Sequence, residues 1–250
     1  MFKWMSKNKE EEMNYDPNLN MVGGFSDNDG TIDFYLRVNS LISKDQIVLD
    51  FGAGRASWFE EDKCETKREI RMLKGKVKKV IACDLDKAVL ENRASDEQLY
   101  MKEGNLDIEE NSIDLIVSDY VLEHIEDPKE FVKQAEACLK SGGWFCARTP
   151  HKFSYVSIAA SLIKNILHSK VLSRAQPDRK EIDIFPTRFR MNTMRDINNA
   201  FEGWNNKSFI FRSDPDYYFG SKVLYKLQSI VHRIMPKIIS GNLFIFVQKP

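Results

Sequence analysis

One stretch decides the fold of this chain, and it reads Val48-Leu49-Asp50-Phe51-Gly52-Ala53-Gly54-Arg55-Ala56. It starts as an apolar strand, carries the carboxylate of Asp50 near the strand's end, and then places Gly52 and Gly54 close together. Glycine accepts positive φ angles and lets the backbone approach a ligand closely. The stretch therefore predicts a strand-to-helix turn in an α/β fold, with a nucleotide lying across the strand's end.

Short apolar runs alternate with helical patterns on both sides of this turn. The predicted strands are Gln46–Phe51, Val77–Asp84, Gln98–Glu103, Ile113–Asp119, Gly143–Arg148, Ser208–Ser213 and Leu243–Gln248. The predicted helices are Thr31–Leu41, Ala56–Leu73, Lys87–Asn92, Pro128–Leu139, Thr193–Phe201 with Thr193 as its cap, and 217–235. Strands that alternate with helices indicate a parallel sheet covered on both faces.

The composition indicates a globular protein with a full core, and its charge is divided unevenly. Residues 1–147 hold 20 Lys and Arg against 30 Asp and Glu, whereas 148–250 hold 17 against 7. An acidic half suits a cationic ligand and a basic half an anionic one, although solvated surface charge explains the same numbers. The four cysteines are far apart, so we expect neither a disulfide framework nor a metal site. No leader-like or membrane-spanning apolar run is visible, which favours a cytoplasmic protein.

The charge beside the glycines narrows the choice of nucleotide. A dinucleotide places its pyrophosphate at the start of the helix after such a turn. The Asp50 carboxylate would repel that group, whereas it would attract an ammonium or a sulfonium. An ordinary tight turn without a ligand and a nicotinamide-dependent oxidoreductase remain as alternatives.

Three further motifs follow the glycine turn in order. They are Ile81-Ala82-Cys83-Asp84-Leu85-Asp86, Glu103-Gly104-Asn105-Leu106, and Asp114-Leu115-Ile116-Val117-Ser118-Asp119-Tyr120-Val121-Leu122-Glu123-His124. Together with Val48–Ala56 they resemble the motifs of class I S-adenosylmethionine-dependent methyltransferases, over about residues 46–150. The continuation from Ile125 to Gly143 resembles the small-molecule branch of that family. The chain departs from the family pattern at Ala56, where a third glycine is usual, and at Asn105, where Asp is usual.

The resemblance implies a fold, a cofactor and a set of cofactor contacts. The fold would be α/β and doubly wound, with a mostly parallel seven-stranded sheet, one C-terminal antiparallel strand and helical insertions. The cofactor would be S-adenosyl-L-methionine, with Asp84 on the ribose hydroxyls and Asn105 on the adenine amino group. The implied contacts are Tyr35, Arg37, Asp50, Phe51, Gly52, Ala53, Gly54, Asp84, Leu85, Asn105, Leu106, Asp119 and Tyr120.

The N-terminal stretch from Gly24 to Val38 resembles a segment that precedes the first strand in methyltransferases of sugar and polysaccharide gene clusters. It predicts a cap over residues 1–45, followed by a methyltransferase domain over 46–250 with insertions at about 151–192 and 214–240. Tyr35 and Arg37 are then the candidates to contact the methionine end of the cofactor. Packing of the cap's aromatic side chains on the sheet is the alternative.

Two histidines are candidates for a general base, which helps when the methyl acceptor is a hydroxyl. His151 follows the fifth strand, at the edge where open α/β sheets bind ligands, and His124 follows the fourth strand. The family's nucleic-acid amino methyltransferases carry the pattern [DNS]-P-P-[YF] at the end of the fourth strand. This chain has Asp119-Tyr120-Val121-Leu122 there, so we expect no DNA substrate.

The basic residues after the fifth strand predict an anionic acceptor, since Arg suits bidentate contact with phosphate or carboxylate. The candidate acceptor contacts are Arg148, Tyr155, Arg179, Arg188 and Arg190. Parts of residues 175–190 resemble an insertion in the same polysaccharide-cluster enzymes. We therefore expect O-methylation of a sugar, a glycan or a phosphorylated precursor in cell-surface polysaccharide biosynthesis. A lipid-linked acceptor and a non-catalytic cofactor-binding subunit are the alternatives.

Residues 217–235 predict an amphipathic helix. Its apolar positions are Val223, Leu224, Leu227, Ile230, Val231, Ile234 and Met235, opposite Lys222, Lys226, Ser229 and Arg233. The apolar face can pack on the core, form a homodimer interface or lie on an anionic membrane at the inner surface of the cell.

Overall fold

The computed structural model describes residues 15–18, 21–162, 186–215 and 218–250. Its strands are β1 (Ile47–Phe51), β2 (Lys79–Asp84), β3 (Glu97–Tyr100), β4 (Ile113–Asp119), β5 (Leu139–Pro150), β6 (Asn205–Asn206), β7 (Phe209–Arg212) and β8 (Gly241–Gln248). Its α-helices are α1 (Gly30–Asn39), α2 (Trp58–Glu61), α3 (Glu65–Arg71), α4 (Pro128–Cys138), α5 (Tyr155–Leu162), α6 (Met194–Ala200), α7 (Lys222–Ile234) and α8 (Lys237–Ser240). Short 3₁₀ helices include Lys87–Glu91 and Leu122–His124.

The strands form one sheet in the order β3-β2-β1-β4-β5-β8-β6, and β7 also pairs with β8. Strands β1 to β5 pair in parallel, and β8 is antiparallel to β5, β6 and β7. Strands β6 and β7 pair with successive parts of the same edge of β8. The eight strands therefore form a sheet that is seven strands wide. The predicted doubly wound sheet with a C-terminal antiparallel strand is confirmed.

Both faces of the sheet are packed, as the alternation of strands and helices predicts. In β1 the side chain of Val48 faces one core cluster and that of Leu49 the other, because successive strand residues point to opposite faces. Helix α1 belongs to the predicted N-terminal cap and supplies Phe34 and Val38, both fully buried, to the first cluster. Helices α4 and α6 supply Phe131 and other apolar side chains to the second.

The predicted helix Ala56–Leu73 is two short helices, α2 and α3. It breaks after α2 because the Asp62 side chain accepts a hydrogen bond from the Cys64 N–H at 2.9 Å, which closes a turn that competes with the helix. The charged segment 60–76 is also not solvated on every side. Ile70 packs against the core and Leu73 is buried, so one face of this segment is structural.

The local start signals of two helices are confirmed. The Asp127 carboxylate caps α4 by accepting from the N–H groups of Lys129 and Glu130, and Pro128 occupies the first turn. Thr193 and Asp196 form a capping box at the start of α6. No helix within the described parts of the chain is both long and apolar enough to cross a bilayer.

Candidate donor site and active site

The glycine turn after β1 adopts the conformation that its sequence predicts. Gly52 has φ +74° and Gly54 φ +51°, both in the left-handed region that favours glycine. The N–H groups of Gly52 and Ala53 donate to the Cys83 carbonyl at 2.8 and 3.1 Å, which ties the turn to β2. A Cβ atom at Gly52 would lie 2.3 Å from Val121 Cγ2, so only glycine fits there.

A pocket of about 300 Å³ opens at this turn, at the carboxyl end of the parallel strands. It is lined by residues 51–58, by Asp84, Leu85 and Met101, and by Tyr120, Val121, His124 and Ile125. The structure therefore brings together most of the predicted cofactor contacts, namely Phe51, Gly52, Ala53, Gly54, Asp84, Leu85 and Tyr120. The place is the one that open α/β sheets use for ligands.

Asp84 ends β2 at the floor of the pocket, with its carboxylate fixed by two backbone groups. The N–H of Gly54 donates to Asp84 Oδ2 at 2.9 Å, and the N–H of Asp86 donates to Oδ1 at 2.8 Å. Each carboxylate oxygen can accept a further hydrogen bond. The carboxylate of Asp84 is thus fixed at the pocket, and its contact with the ribose hydroxyls stays a prediction.

The predicted adenine contacts lie outside this pocket. Asn105 is exposed, and Leu106 packs on the core while its N–H donates to Gln134 Oε1 at 3.3 Å. Met101 and Leu85 line the pocket on this side instead. The wall that a flat aromatic ring would meet is therefore apolar.

Asp50 lies below the glycine turn, among other charged groups. Burial raises the pKa of this carboxyl to about 7; Asp119 and Asp84 add to the effect, and the Arg71 guanidinium opposes it. A cationic ligand group beside Asp50 would favour the ionised form and lower that pKa. The ammonium or sulfonium that the sequence predicts beside Asp50 stays a prediction.

Asp119 and Arg148 form the centre of a buried charged cluster next to Asp50. Nε of Arg148 donates to Oδ1 of Asp119, and Nη2 donates to Oδ2 at 2.9 Å. Arg71 Nη2 and the Tyr35 hydroxyl reach the same Oδ2 at 3.4 and 3.3 Å. Burial would raise the pKa of Asp119, but Arg148 and Arg71 outweigh it and hold that pKa below its usual value.

Two predicted contacts have different positions from those expected. Arg148 was expected at the acceptor, yet it is 4% exposed and bound to Asp119, so it organises the cluster from inside. Arg37 lies on the outer side of α1, where Nε pairs with Asp33 at 2.8 Å and the guanidinium covers the Phe209 ring. Tyr35 and Arg37 are about 200° apart around the helix axis, so they cannot both face the site.

The two histidine candidates have different surroundings. His124 lines the pocket, and its Nδ1 lies 3.0 Å from the Pro186 carbonyl oxygen. A carbonyl only accepts, so Nδ1 carries the proton in this contact. His151 is 4% exposed and its Nδ1 accepts from the Phe153 N–H at 3.2 Å. Burial lowers the pKa of His151, and this side chain is not part of the pocket wall.

The remaining acceptor candidates are divided between two places. Arg188 and Arg190 lie beside the His124 turn, since the Arg188 N–H donates to the Glu123 carbonyl at 2.6 Å and Arg190 Nη1 donates to the Glu126 carbonyl. Tyr155 of α5 packs its ring on His232 of α7, with the ring centres 5.4 Å apart. Arg179 lies outside the described residues.

Arg71 is the functional candidate that sequence reasoning missed. Its guanidinium lies over the ring of Trp58, a pocket residue, at 4.6 Å and over Tyr35 at 5.4 Å. Its Nε is buried, with no hydrogen-bond partner among the described residues. The spacing of Ile70, Leu73 and Val77 was the available signal that this charged segment has a buried side.

Comparison with known proteins agrees with this geometry. A family model described as a methyltransferase domain matches residues 27–202. The chain belongs to this methyltransferase family. A Mycolicibacterium smegmatis protein named “probable S-adenosylmethionine-dependent methyltransferase” is 29% identical over 103 residues, which span 40% of each chain.

Solved methyltransferases share the fold. A Haloferax volcanii methyltransferase in complex with the activator Trm112 superimposes with a TM-score of 0.55 at 14% identity, over 87% of this chain and 90% of that one. Geranyl diphosphate C-methyltransferase from Streptomyces coelicolor, bound to S-adenosyl-L-homocysteine, superimposes with a TM-score of 0.54 at 12% identity, over 87% of this chain and 74% of that one. None of these three proteins is named for a sugar or polysaccharide substrate, so the branch implied by the sequence stays a prediction.

The comparisons indicate S-adenosylmethionine as the cofactor of this chain. The residues present fit it, because nothing lies within 4 Å of the Cβ position at Gly54, which leaves room for a ligand, and the Asp84 carboxylate is held at the pocket by two backbone N–H groups. Asp50 lies next to pocket residue Phe51, and we expect its carboxylate, rather than the ion-paired carboxylate of Asp119, to favour a cationic ligand group. The sulfonium makes the methyl group transferable, and the protein's own residues bind and orient the donor.

Proposed function

We propose that this methyltransferase transfers the methyl group of S-adenosylmethionine to an oxygen of an anionic small molecule, a sugar or glycan precursor that carries phosphate or carboxylate. The observation that carries this proposal is the contact between the His124 turn and the segment that bears Arg188. His124 lines the donor pocket, and the backbone N–H of Arg188 donates to the carbonyl of Glu123, the residue before it. Such an arrangement suits a hydroxyl acceptor next to a negative group.

His124 serves as the general base in this proposal. Its Nδ1–H donates to the Pro186 carbonyl, so in the neutral ring the lone pair is on Nε2. A base in this form accepts the hydroxyl proton as the oxygen attacks the methyl carbon, and the sulfonium leaves as a neutral thioether. His151 is the weaker candidate because its Nδ1 already accepts a backbone hydrogen bond and its ring is buried.

Arg188 binds the negative group of the acceptor. Its side chain is 43% exposed, and its ion pair with Glu126 is long, at 3.6 Å, and lies at the surface. Exposed ion pairs of this kind contribute little, so a phosphate can replace the Glu126 contact at small cost. Arg190 is less suited, since its guanidinium is engaged with the Glu126 carbonyl.

The test is methyl transfer from isotopically labelled donor to a panel of sugar phosphates, nucleotide sugars, uronic acids and their neutral counterparts. We expect labelled product from anionic members, with an O–CH₃ group found by NMR. His124→Gln should lower kcat by about 10²-fold or more, the range for loss of a general base, with a much smaller effect on donor affinity. Arg188→Ala should raise KM for the acceptor.

Two variants serve as controls. His151→Gln should retain kcat, and Arg195→Ala should retain KM, because Arg195 is an exposed residue of α6 that changes the net charge equally. Preferential methylation of neutral acceptors would exclude the anionic class. Full kcat in His124→Gln would exclude its role as base.

A further inference from the structure

Helix α7 is attached to the protein through its more polar side. His232 is 6% exposed, and its Nδ1–H donates to the Ser213 carbonyl at 3.2 Å. Tyr225 contacts the rings of Tyr15 and Tyr218, with centres 5.7 and 5.3 Å away. An amphipathic helix normally buries its apolar face, whereas α7 buries its more polar one.

The apolar side of α7 consequently faces outward. Val223 is 65% exposed, Leu227 57%, Ile230 59% and Ile234 80%. At about 100° per residue these four positions fall within an arc of about 60°, so they form one continuous stripe. A stripe of this kind marks an interaction surface rather than an ordinary scatter of exposed residues.

Basic side chains border the stripe on one flank. Lys222, Lys226 and Arg233 are exposed and lie next to one another around the helix, and Lys237 and the 45% exposed Ile238 of α8 continue the pattern. No Asp or Glu occurs between residues 218 and 250. Asp214 lies nearby, but Ser26 donates to its carboxylate on the side of α7 that faces the protein.

This combination distinguishes between possible partners. A second copy of the helix would bring the same cations against these cations, with no acidic residue on α7 or α8 to pair with them. An anionic bilayer offers acyl chains to the stripe and phosphates to the lysines. The chain has no described helix that crosses a bilayer, so the contact is at its surface.

We propose that α7 docks the protein on an anionic membrane, with the helix axis in the plane of the bilayer. Val223, Leu227, Ile230 and Ile234 enter the interface, while Lys222, Lys226 and Arg233 contact lipid phosphates. Docking does not depend on which acceptor the enzyme methylates.

The position of α7 gives this contact a functional consequence. Ser213, whose carbonyl accepts from His232, also accepts through its hydroxyl from Asn242 Nδ2 at 3.0 Å. The same Nδ2 lies 3.0 Å from the hydroxyl of Tyr120, a residue of the pocket wall. Because this short path joins α7 to the donor pocket, docking brings the active site close to the lipid surface, where a lipid-linked acceptor could enter.

The experiment is co-sedimentation of the full chain with vesicles of phosphatidylcholine alone and of an equimolar mixture with phosphatidylglycerol. We expect binding to the mixed vesicles only, and weaker binding at higher salt. Leu227→Glu/Ile230→Glu and Lys222→Glu/Lys226→Glu should each lower the affinity about tenfold or more. Val22→Glu is the matched control, since Val22 is 99% exposed on a different element.

Binding of S-adenosyl-L-homocysteine by every variant, measured by calorimetry, shows that each has folded. Equal binding to both vesicle types, or mixed-vesicle binding that the α7 variants leave unchanged, would overturn the proposal. A stable dimer that Leu227→Glu dissociates would assign the face to a second copy and would likewise overturn it.

Discussion

Asp119 at the end of β4 and Arg148 on β5 are register partners in the parallel sheet, and their side chains form a two-point ion pair. The two side chains are 10% and 5% exposed. Arg71 approaches the same carboxylate from α3, so the pair links the sheet to the segment between β1 and β2. The pair thereby fixes the position of the Asp119 carboxylate, which accepts from the Tyr35 hydroxyl and raises the pKa of Asp50.

Removal of Arg148 should destabilise the fold. In Arg148→Met the Asp119 carboxylate loses its main partner, and breaking a buried pair in this way costs about 3 kcal/mol or more in free energy of unfolding. Urea unfolding at neutral pH measures this difference. Arg148→Lys should cost less because it keeps the charge, and the exposed Arg37→Met should cost under about 1 kcal/mol. A change below that value in Arg148→Met would show that Arg71 alone suffices.

Gly52→Ala should be more harmful than Gly54→Ala. Both positions have positive φ, which costs a non-glycine residue on the order of 1 kcal/mol. Only at Gly52 does the new Cβ collide with Val121, whereas nothing lies within 4 Å of one at Gly54. Thermal unfolding of both variants tests this difference. Adding Val121→Ala should partly restore the stability of Gly52→Ala, because it removes the side chain that the new Cβ meets. The absence of such rescue would mean that the strain lies in the backbone alone.

Donor binding should strengthen as the pH rises through 7. The pKa of Asp50 in the free protein is raised to about 7, so the carboxyl is largely protonated at pH 6 and largely ionised at pH 8. The ammonium group that S-adenosyl-L-homocysteine shares with the donor prefers the ionised form of Asp50, so the affinity for S-adenosyl-L-homocysteine should rise by up to about tenfold over this interval. Calorimetry should also show proton release on binding at pH 7. Asp50→Asn should bind more weakly, with no such dependence.

Asp84→Ala should weaken the binding of S-adenosyl-L-homocysteine about tenfold or more, because charged hydrogen bonds to the ribose are lost. Asp86→Asn is the matched control, since Asn can still cap the 3₁₀ helix that Asp86 caps through the Ala88 N–H. Calorimetric titration compares the two. Unchanged affinity in Asp84→Ala would remove this carboxylate from the donor site.

Arg71→Met should weaken the binding of S-adenosyl-L-homocysteine more than that of methylthioadenosine, which lacks the amino-acid end with its carboxylate and ammonium. The reason is that the Arg71 guanidinium lies over the ring of pocket residue Trp58 with 17% of its side chain exposed, and a guanidinium is a donor suited to a carboxylate. Competition between the two ligands measures the difference. An equal loss for both would mean that Arg71 acts through the fold.

The sequence by itself determined the features that rest on neighbouring residues. The positive φ angles at Gly52 and Gly54, the caps at Asp127 and Thr193, and the strand that ends in Asp84 follow from local chemistry. The order of strands and helices also gave the parallel sheet, because such connections have few alternatives. Those features together place the donor pocket.

Only the tertiary structure decided which distant side chains meet. Arg71 reaches Asp119 and pocket residue Trp58 whereas Arg37 does not, because helix phase and packing against the sheet set their directions. His124 rather than His151 lines the pocket, since a contact with Pro186, 62 residues away, orients its ring. The outward stripe of α7 has the same origin: periodicity defines an apolar face, and long-range contacts such as that of His232 decide which way it points.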